Sequence, residues 1–519
     1  MGVSNIIESV KGFLAQGLGG SYKYSVLPEH RISSREPRSQ SLQKSQEEKF
    51  RRTLKLAMTG LIAFAIFFVL VVSSTGNALN NKTSCDTIYQ GYQCATEISR
   101  HWGQYSPYFS VPSEISNEIP EGCTVTFAQV VSRHGARDPT DSKSGAYAAM
   151  IAKIQGNATS YGSGFGFLED FEYTLGKDEL TKFGERELYN SGIKFYDRYR
   201  SLAASITPFF RASGQNRVIQ SAKNFTRGFH ATRVSDESAK ADLFPYDIVI
   251  ISEDEGMNNT LDHGLCTNFE EGAIDEIGDN SKGEWADTFV PDIQARVNEN
   301  LPGANLTADE TIYLMDMCPF TTVAKTDGTP TEFCSLFTAE DWANYGYYYT
   351  LDKWYGYGPG NPLGPTQGVG FVNELLARLT GDPVTDHTST NQTLDADPVT
   401  FPLGSKLYAD FSHDNDMTAM FSAMGLFTGT EDLDKTNRVG TNETSGYSSA
   451  ATVPFSARLY VEKLQCGSDA DEMVRVLLND RVMPLDGCGS DELGRCKLSE
   501  FVESMKFAMT GGLWDSCFT

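Results

Sequence analysis

Apolar and polar positions alternate along the chain in a way that predicts strands mixed with helices. Val125, Phe127, Val130 and Val131 form a β-rich run that breaks into a turn at Gly135. Further strand candidates are Pro245–Ile251, Lys406–Phe411, and Val453–Leu464 with Val474–Leu478 as a closing hairpin. Because strands and helices are interleaved, the pattern predicts a layered α/β body.

Two helices are predicted among these strands. Leu180–Leu202 carries Leu188 and Phe195 among charged residues, which is the pattern of an amphipathic helix. We expect Phe210–Gly214 to break that helix. A second helix is expected over about Gln367–Leu379, since proline and glycine in the preceding residues favour a turn that leads into it.

The first 83 residues differ in character from the rest of the chain. Residues 1–55 are rich in Ser, Gln and Arg, which predicts a disordered basic tail. Residues 56–75 are mostly apolar and follow four Lys and Arg residues, as in a single membrane-spanning signal anchor with a cytoplasmic N-terminus. We therefore expect a short stem at 76–83 and a body at 84–519 on the extracellular or lumenal side.

A cleaved signal peptide is the alternative interpretation of the apolar segment. Small residues at Gly76 and Ala78 have the spacing of a cleavage site, and initiation at Met58 would shorten the preceding tail. The body would then be secreted. In both cases the chain from Cys85 onward reaches the same side of the membrane.

Charge is spread unevenly over a chain whose formal net charge is −25. Residues 1–55 hold ten Lys and Arg against five Asp and Glu, so the body carries all of the acidic excess. Such a body repels nucleic acid, which excludes that class of partner. A phosphate site in it would have to be a local basic island.

Cysteines and glycosylation sequons indicate the compartment. All ten cysteines follow residue 80, and they lack the paired spacing of a zinc site. Asn-x-Ser/Thr sequons lie in the same part of the chain, at Asn81, Asn157, Asn224, Asn258, Asn305, Asn391 and Asn442. Together they indicate an oxidising, glycosylating environment for the body.

The turn after the first predicted strand carries the candidate chemistry. His134 is preceded by Arg133 and followed by Gly135 and, three places on, by Arg137. A neutral imidazole is a competent nucleophile towards phosphorus, and two guanidiniums can bind phosphate oxygens beside it. The other interpretation of so short a motif is a solvated histidine among arginines.

A second histidine has the same setting, directly after an apolar strand. If the strands before His134 and His413 are neighbours in one sheet, both imidazoles lie at one edge. His413 would then bind the phosphate, Asp414 would protonate the leaving oxygen, and Arg211 would complete the clamp. We expect no metal or cofactor, because no cluster with metal-ligand spacing is visible in the sequence.

The two motifs and many further segments resemble the histidine acid phosphatases, in the branch that holds the fungal phytases. The segments are Cys85–Thr87, Gln90–Cys94, Trp102–Pro107, Arg133–Pro139, Arg211–Gly214, Asn258–Asp262, Gly358–Gly370, Tyr408–Asn415, Leu478–Val482 and Trp514–Phe518. The resemblance covers about residues 84–519, and it identifies this region as a catalytic one.

The resemblance implies a role for each matching residue. His134 would form a phosphohistidine intermediate and Asp414 would be the proton donor. The scissile phosphate would be bound by Arg133, Arg137, Arg211 and His413. Gln104 and Tyr105 match positions at the rim of the pocket, with a structural role as the alternative.

The resemblance also implies a fold and a disulfide pattern. The fold is a large α/β sandwich domain with an inserted, smaller and mostly α-helical domain, and the pocket lies between them. The implied disulfides are Cys85–Cys94, Cys123–Cys466, Cys266–Cys517, Cys318–Cys334 and Cys488–Cys496. The body is expected to be monomeric.

Two departures from the fungal phytases bear on the substrate. Glu169 and Asp352 stand where those enzymes carry lysines, and Lys353 remains from an expected pair. Loss of cations near a polyanion weakens its binding. We therefore expect hydrolysis of myo-inositol hexakisphosphate (phytate) and other phosphomonoesters, with weaker or broader phytate activity.

Other functions stay open at this point. The chain could be a broad-specificity acid phosphatase or a phosphatase of lower inositol phosphates. From another class, it could be a catalytically silent, membrane-tethered binding protein. A metal-dependent phosphatase would be recognised by loss of activity in EDTA. For the enzyme we expect a bell-shaped profile on the acidic side of neutrality.

Overall fold

The computed structural model describes residues 84–467 and 471–519. The predicted tail (1–55), membrane anchor (56–75) and stem (76–83) lie outside the described residues, so these expectations stay predictions. Within the described ranges, every helix is too short or too polar to cross a membrane.

The strands of the described residues are short except in the middle of the main sheet. They are β1 (Asp86–Thr87), β2 (Gly91–Tyr92), β3 (Cys123–Arg133), β4 (Phe209–Ser213), β5 (Ile248–Ile251), β6 (Leu407–Ser412), β7 (Arg458–Cys466), β8 (Glu472–Leu478), β9 (Arg481–Val482) and β10 (Arg495–Lys497).

The helices separate these strands. They are α1 (Thr96–Ser99), α2 (Asp141–Asn157), α3 (Lys182–Arg198), α4 (Arg200–Ala203), α5 (Asn216–Ser235), α6 (Thr267–Glu270), α7 (Glu276–Asn300), α8 (Ala308–Ala324), α9 (Ala339–Gly356), α10 (Gly364–Gln367), α11 (Val369–Thr380), α12 (Gln392–Asp395), α13 (Asp414–Ala423), α14 (Ser449–Thr452), α15 (Leu498–Ser504) and α16 (Lys506–Met509).

One mixed sheet organises the fold. Its order is β10-β8-β7-β3-β6-β4-β5, with β9 paired to β8. The strands β3, β6, β4 and β5 run parallel, whereas β7, β8 and β10 are antiparallel neighbours. The carboxyl ends of the parallel strands therefore meet at one edge, which is where open α/β sheets bind ligands.

Most of the predicted strands and helices are confirmed. The predicted β3 and β6 are adjacent and parallel, with Arg133 opposite Ser412. The break predicted at Phe210–Gly214 is confirmed, since α3 and α4 end at Arg198 and Ala203. The strand there was not predicted: Phe209–Ser213 form β4 between β6 and β5. Phe210 and Ala212 enter the core from this strand, and Arg211 between them is paired with acidic residues.

Both faces of the sheet are covered, as the side chains of β3 illustrate. Val130 joins a core formed with α3 and α5, where Phe195 and Phe225 pack together. Phe127 and Val131 join the larger core on the other face. Because successive residues of a strand point to opposite faces, β3 contributes apolar side chains to both cores and is buried on both sides.

Five disulfides close the described part of the chain, and all five implied pairs are confirmed. They are Cys85–Cys94, Cys123–Cys466, Cys266–Cys517, Cys318–Cys334 and Cys488–Cys496. Such a set requires an oxidising compartment, as expected of an extracellular or secreted protein. The implied division into an α/β domain and an inserted helical domain stays a prediction.

Candidate active site

The carboxyl edge of the parallel strands opens into a cavity of about 360 Å³. His413 follows β6 and lines this cavity, and His134 follows β3 next to it. Their ring centroids are 5.6 Å apart. The expectation that the two imidazoles lie at one edge of one sheet is therefore confirmed.

The environment of His134 leaves one ring nitrogen free to react. Its Nδ1 donates to the carbonyl oxygen of Gly135 at 2.8 Å, so the lone pair of the neutral ring lies on Nε2. The side chain is buried. Burial, followed by the charges of Arg217 and Arg133, holds the pKa of His134 well below its ordinary value.

The turn after His134 is fixed by helices α3 and α5. Gly135 is required because a Cβ there would lie 2.4 Å from the carbonyl oxygen of Gly184. Its N–H donates to Ser221 Oγ at 3.1 Å, and the next N–H, of Ala136, donates to Glu187 Oε2 at 2.8 Å. Helices α3 and α5 therefore both hold the backbone next to His134 in place.

Arg133 lies beneath the cavity with part of its guanidinium uncommitted. One amino group donates to the carbonyl oxygens of Gln104 and Val453, and the ring of Phe455 lies 4.6 Å from the guanidinium carbon. Its Nε has no hydrogen-bond partner in the part of the chain that the structure describes, and its other amino group has only an ion-pair contact, with Asp414 at 3.4 Å. Buried donors of this kind suit an incoming anion.

Arg137 and Arg217 line the cavity and supply two more guanidiniums. Each has a buried Nε that lacks a partner among the described residues. Burial, followed by the charge of Arg137, lowers the pKa of Arg217 to about 10. Arg133, Arg137 and Arg217 repel one another and are only partly balanced by Asp414 and Asp178, so they form a basic island in an acidic body.

Arg211 does not belong to this group, which corrects the sequence-based assignment. It lies in the middle of β4 and not beyond its end. Its donors are taken by Asp410, at 3.1 Å, and by Glu374, at 2.6 Å. The guanidinium at the edge comes from Arg217, at the start of α5.

His413 and Asp414 stand at the start of α13. Ring nitrogen Nε2 of His413 lies 3.0 Å from Glu253 Oε1, which fixes the imidazole. Asp414 lies 3.4 Å from Arg133 and 2.9 Å from Lys353 Nζ. Burial alone would raise the pKa of Asp414, but Arg133, Lys353 and His134 together hold it well below its ordinary value.

Gln104 and Tyr105, expected at the rim, and Lys353, expected to bind substrate, all line the cavity. Asp352 lines it as well, but it is paired with Lys282 at 2.7 Å and with Lys353 at 3.4 Å. Lys282, from another helix, thus supplies a positive charge next to the position where a lysine was expected and Asp352 stands. Glu169 is exposed and is absent from the cavity lining.

Several cavity residues were missed in the sequence: Lys143, Arg217, Asp262, His263, Lys282 and Asp416. Arg217 carries a weaker signal than His134 and His413, because it comes four positions after the end of β4 whereas the two histidines follow their strands directly. Lys282 carries none, because its contact with Asp352 spans 70 positions.

One group of described residues has donor atoms close enough together to hold a metal ion. Atoms of Glu253, Asp262 and His413 lie within 4.8 Å of one another. Glu253 and His413 already bond each other there. Whether the enzyme works without a metal stays a prediction, which chelation tests.

The profile of the Histidine phosphatase superfamily (branch 2) matches residues 124–479. This chain belongs to that superfamily, and it is a phosphomonoester hydrolase.

Two relatives show the likeness over most of the chain. It is 51% identical to Phytase A of Aspergillus oryzae and 49% identical to Phytase A of Aspergillus fumigatus. Each match spans 468 residues, 89% of this chain and 100% of the relative.

Solved structures agree on the fold. The phytase from D. castellii matches with a TM-score of 0.65 and 26% identity, covering 80% of this chain and 86% of that one. The Bifidobacterium longum multiple inositol polyphosphate phosphatase, in complex with inositol hexasulfate, matches at a TM-score of 0.54 and 15% identity. The latter match covers 78% of this chain and 97% of that one, and it supports the fold alone.

Proposed function

We propose that this enzyme releases inorganic phosphate from phytate and related phosphomonoesters through a phosphohistidine at His134. One observation carries the proposal. A neutral imidazole with a free Nε2 stands beside three guanidiniums with unpartnered donors and a carboxyl group at one cavity. Phosphoryl transfer needs this positioning and charge neutralisation.

Substrate binding would change the state of Asp414. In the free enzyme its carboxylate is paired with Arg133 and Lys353. A phosphate bound by Arg133 brings negative charge next to Asp414 and weakens that pairing. The pKa of Asp414 then rises, and the carboxyl group takes up the proton that the reaction needs.

In the first chemical step, Nε2 of His134 attacks phosphorus and an N–P bond forms. The ester P–O bond breaks, and the proton of Asp414 moves to the departing alcohol oxygen. Arg133, Arg137, Arg217 and His413 neutralise the transferring phosphoryl group.

In the second step, water attacks the phosphohistidine. The carboxylate of Asp414 accepts a proton from that water, the N–P bond breaks, and inorganic phosphate leaves. His134 is restored to its neutral form and Asp414 to its protonated form for release or another cycle.

The charge of the cavity supports a polyanionic substrate. Its lining contains Arg137, Lys143, Arg217, Lys282 and Lys353 against Asp262, Asp352, Asp414 and Asp416. Burial, followed by the neighbouring Asp416, raises the pKa of Asp262 to about 8, so this carboxyl group is neutral in acid. The cavity therefore becomes more positive as pH falls, which favours phytate binding in the acidic range.

The alternative is a broad-specificity acid phosphatase or a phosphatase of lower inositol phosphates. Asp352 supports it, because this carboxylate partly neutralises Lys282 and Lys353. Kinetics with phytate, lower inositol phosphates and p-nitrophenyl phosphate separate the two. A higher kcat/KM for phytate supports the phytase; equal values for all substrates support the broad enzyme.

We also propose that residues 56–75 anchor the enzyme in a membrane as a type II protein. The support is the apolar sequence and its basic N-terminal flank. Full-length protein expressed in its host should remain with the membranes after a carbonate wash. A soluble product whose N-terminus lies near Gly76–Ala78 would instead show cleavage and secretion.

A further inference from the structure

His263 lies on the wall of the cavity and takes no part in the steps above. Its Nδ1 lies 2.8 Å from Glu270 Oε1, and its backbone N–H donates to Asp416 at 2.7 Å. The ring packs against Phe269 and Tyr357, each 5.5 Å away between centroids. The imidazole is therefore held in place by its hydrogen bonds and by two aromatic rings.

These contacts leave one donor of the ring available. Glu270 takes Nδ1, and the other nitrogen, Nε2, makes no hydrogen bond within residues 84–467 and 471–519. The side chain keeps 20% of its surface exposed, and His263 is part of the cavity lining. The N–H at Nε2 is therefore the donor of this ring that an anion in the cavity would use.

Neighbouring carboxylates keep the ring charged. Burial alone would lower the pKa of His263, but Asp416 and then Glu270 are the main groups that raise it to about 9. The imidazole is a cation throughout the acidic and neutral range. Although Glu270 and Asp416 balance its charge, the ring thus keeps a proton on Nε2 over the whole range in which the enzyme is expected to act, and Nε2 remains a donor.

The position of His263 is close to the expected binding site of the scissile phosphate. The carboxylate of Asp416 interacts with both His263 and His413. Asp262, next in sequence to His263, has a carboxylate oxygen within 4.8 Å of a ring nitrogen of His413. A group bound by His263 would therefore lie beside the phosphate bound by His413.

We propose that His263 binds a second, non-scissile phosphate of a polyphosphorylated substrate and so helps to select polyanions over simple phosphomonoesters. The inference rests on the proposed function and deepens it. The ligand class is a compact polyol that carries several phosphate or sulfate groups. A single phosphate held at His134 and His413 does not need this contact.

The test compares a polyanion with a single anion. Calorimetry at pH 5.5 measures the Kd of inositol hexasulfate, which is not hydrolysed, and inhibition kinetics measure the Ki of inorganic phosphate. For His263→Gln we expect the hexasulfate Kd to rise about tenfold, as for loss of one charge-assisted hydrogen bond. The Ki of phosphate should change less than about twofold on the same scale.

Two further variants serve as controls. His263→Arg keeps a cation on the wall and should restore most of the hexasulfate affinity. His387→Gln removes an exposed imidazole outside the cavity lining and should leave the Kd as in the wild type. Thermal unfolding of each variant separates loss of a contact from loss of the fold.

Two results would overturn the inference. One is a hexasulfate Kd of His263→Gln equal to that of the wild type. The other is an equal rise in the Kd of hexasulfate and the Ki of phosphate, which indicates a structural role. If the wild type hydrolyses no phosphomonoester, but His263→Gln still weakens hexasulfate binding selectively, the proposed function is wrong and the anion contact of His263 is supported.

Discussion

Two arginines of neighbouring elements differ in what surrounds them. Arg211, in the middle of β4, donates to Asp410 and Glu374, so its charge is balanced inside the protein. Arg217, at the start of α5, lines the cavity, and its Nε has no partner in the described ranges. The first arginine stabilises the sheet, whereas the second is kept available for an anion.

The difference shows that an arginine near a catalytic histidine is recognised by its unmet donors and not by its place in sequence. A balanced, buried ion network has little left to offer a ligand. A set of like charges that its neighbours only partly balance is costly for the fold and is retained where a ligand supplies the missing charge.

The largest effect is expected where the reacting atom itself is removed. His134→Ala should lower kcat for p-nitrophenyl phosphate by about four orders of magnitude or more, because no other group can form the covalent intermediate. Initial rates at pH 5 measure this. Retention of more than about a tenth of the activity in a folded protein would show that His134 is not the nucleophile.

Asp414→Asn should lower kcat by about two to three orders of magnitude, since the amide cannot protonate the leaving oxygen. The loss should be smaller for substrates whose alcohol leaves easily, because they need less help from an acid. Rates for a series of aryl phosphates with different leaving groups measure it. The same loss across the whole series would argue against Asp414 as the proton donor.

The comparison of the two arginines is tested by a pair of matched variants. Arg217→Met should lower kcat/KM about a hundredfold with a Tm no lower than that of the wild type, because it removes a cation repelled by Arg137. Arg211→Met should instead lower stability by about 3–5 kcal/mol, since Glu374 loses its ion-pair partner and Asp410 is left with Arg378.

Activity and thermal unfolding measured on both proteins decide the matter. The folded fraction of Arg211→Met should keep most of its specific activity. Loss of catalysis in Arg211→Met at unchanged Tm, or full activity of Arg217→Met, would contradict the different roles assigned to the two arginines.

A change of pH is expected to have a moderate effect on the affinity for inositol hexasulfate. The pKa of Asp262 is raised to about 8, mainly by burial and by Asp416. The carboxyl group is neutral below that pH and ionised above it, so the affinity for inositol hexasulfate should fall as pH rises through about 8. Hexasulfate stays ionised throughout, so calorimetry reports the charge of the protein. Asp262→Asn should remove much of this fall; an unchanged profile would exclude Asp262 as its source.

The smallest effect is expected from chelation. EDTA should leave the rate of p-nitrophenyl phosphate hydrolysis unchanged, because arginines neutralise the phosphate in the proposed steps. Loss of activity in EDTA with recovery on adding a divalent cation would instead point to the donor set of Glu253, Asp262 and His413.

The sequence predicted the parts of the fold that depend on local pattern. His134 and His413 each follow an apolar strand, and this shared setting was enough to place them at one edge. It did not predict β4, because Phe209–Ser213 carries an arginine at its centre. The compensating Asp410 lies 199 positions away and is invisible in a local pattern.

Ion pairs between residues far apart in sequence also explain the wrong predictions at the site. Arg211 was chosen for its neighbours in sequence, while its actual partners come from β6 and α11. Asp352 was expected to weaken the binding of phytate, but Lys282 of a different helix forms an ion pair with it. Cations and carboxylates that meet across long separations decide the charge of the cavity, and only the fold brings them together.

The central claim is that phosphate passes through His134, and trapping the intermediate tests it most directly. The enzyme is mixed with phytate or p-nitrophenyl phosphate, quenched in alkaline denaturant within milliseconds, digested and analysed by mass spectrometry. We predict one phosphate on the peptide that contains His134, and none in His134→Ala. Phosphate on another residue, or turnover without any phosphorylated peptide, would contradict the account.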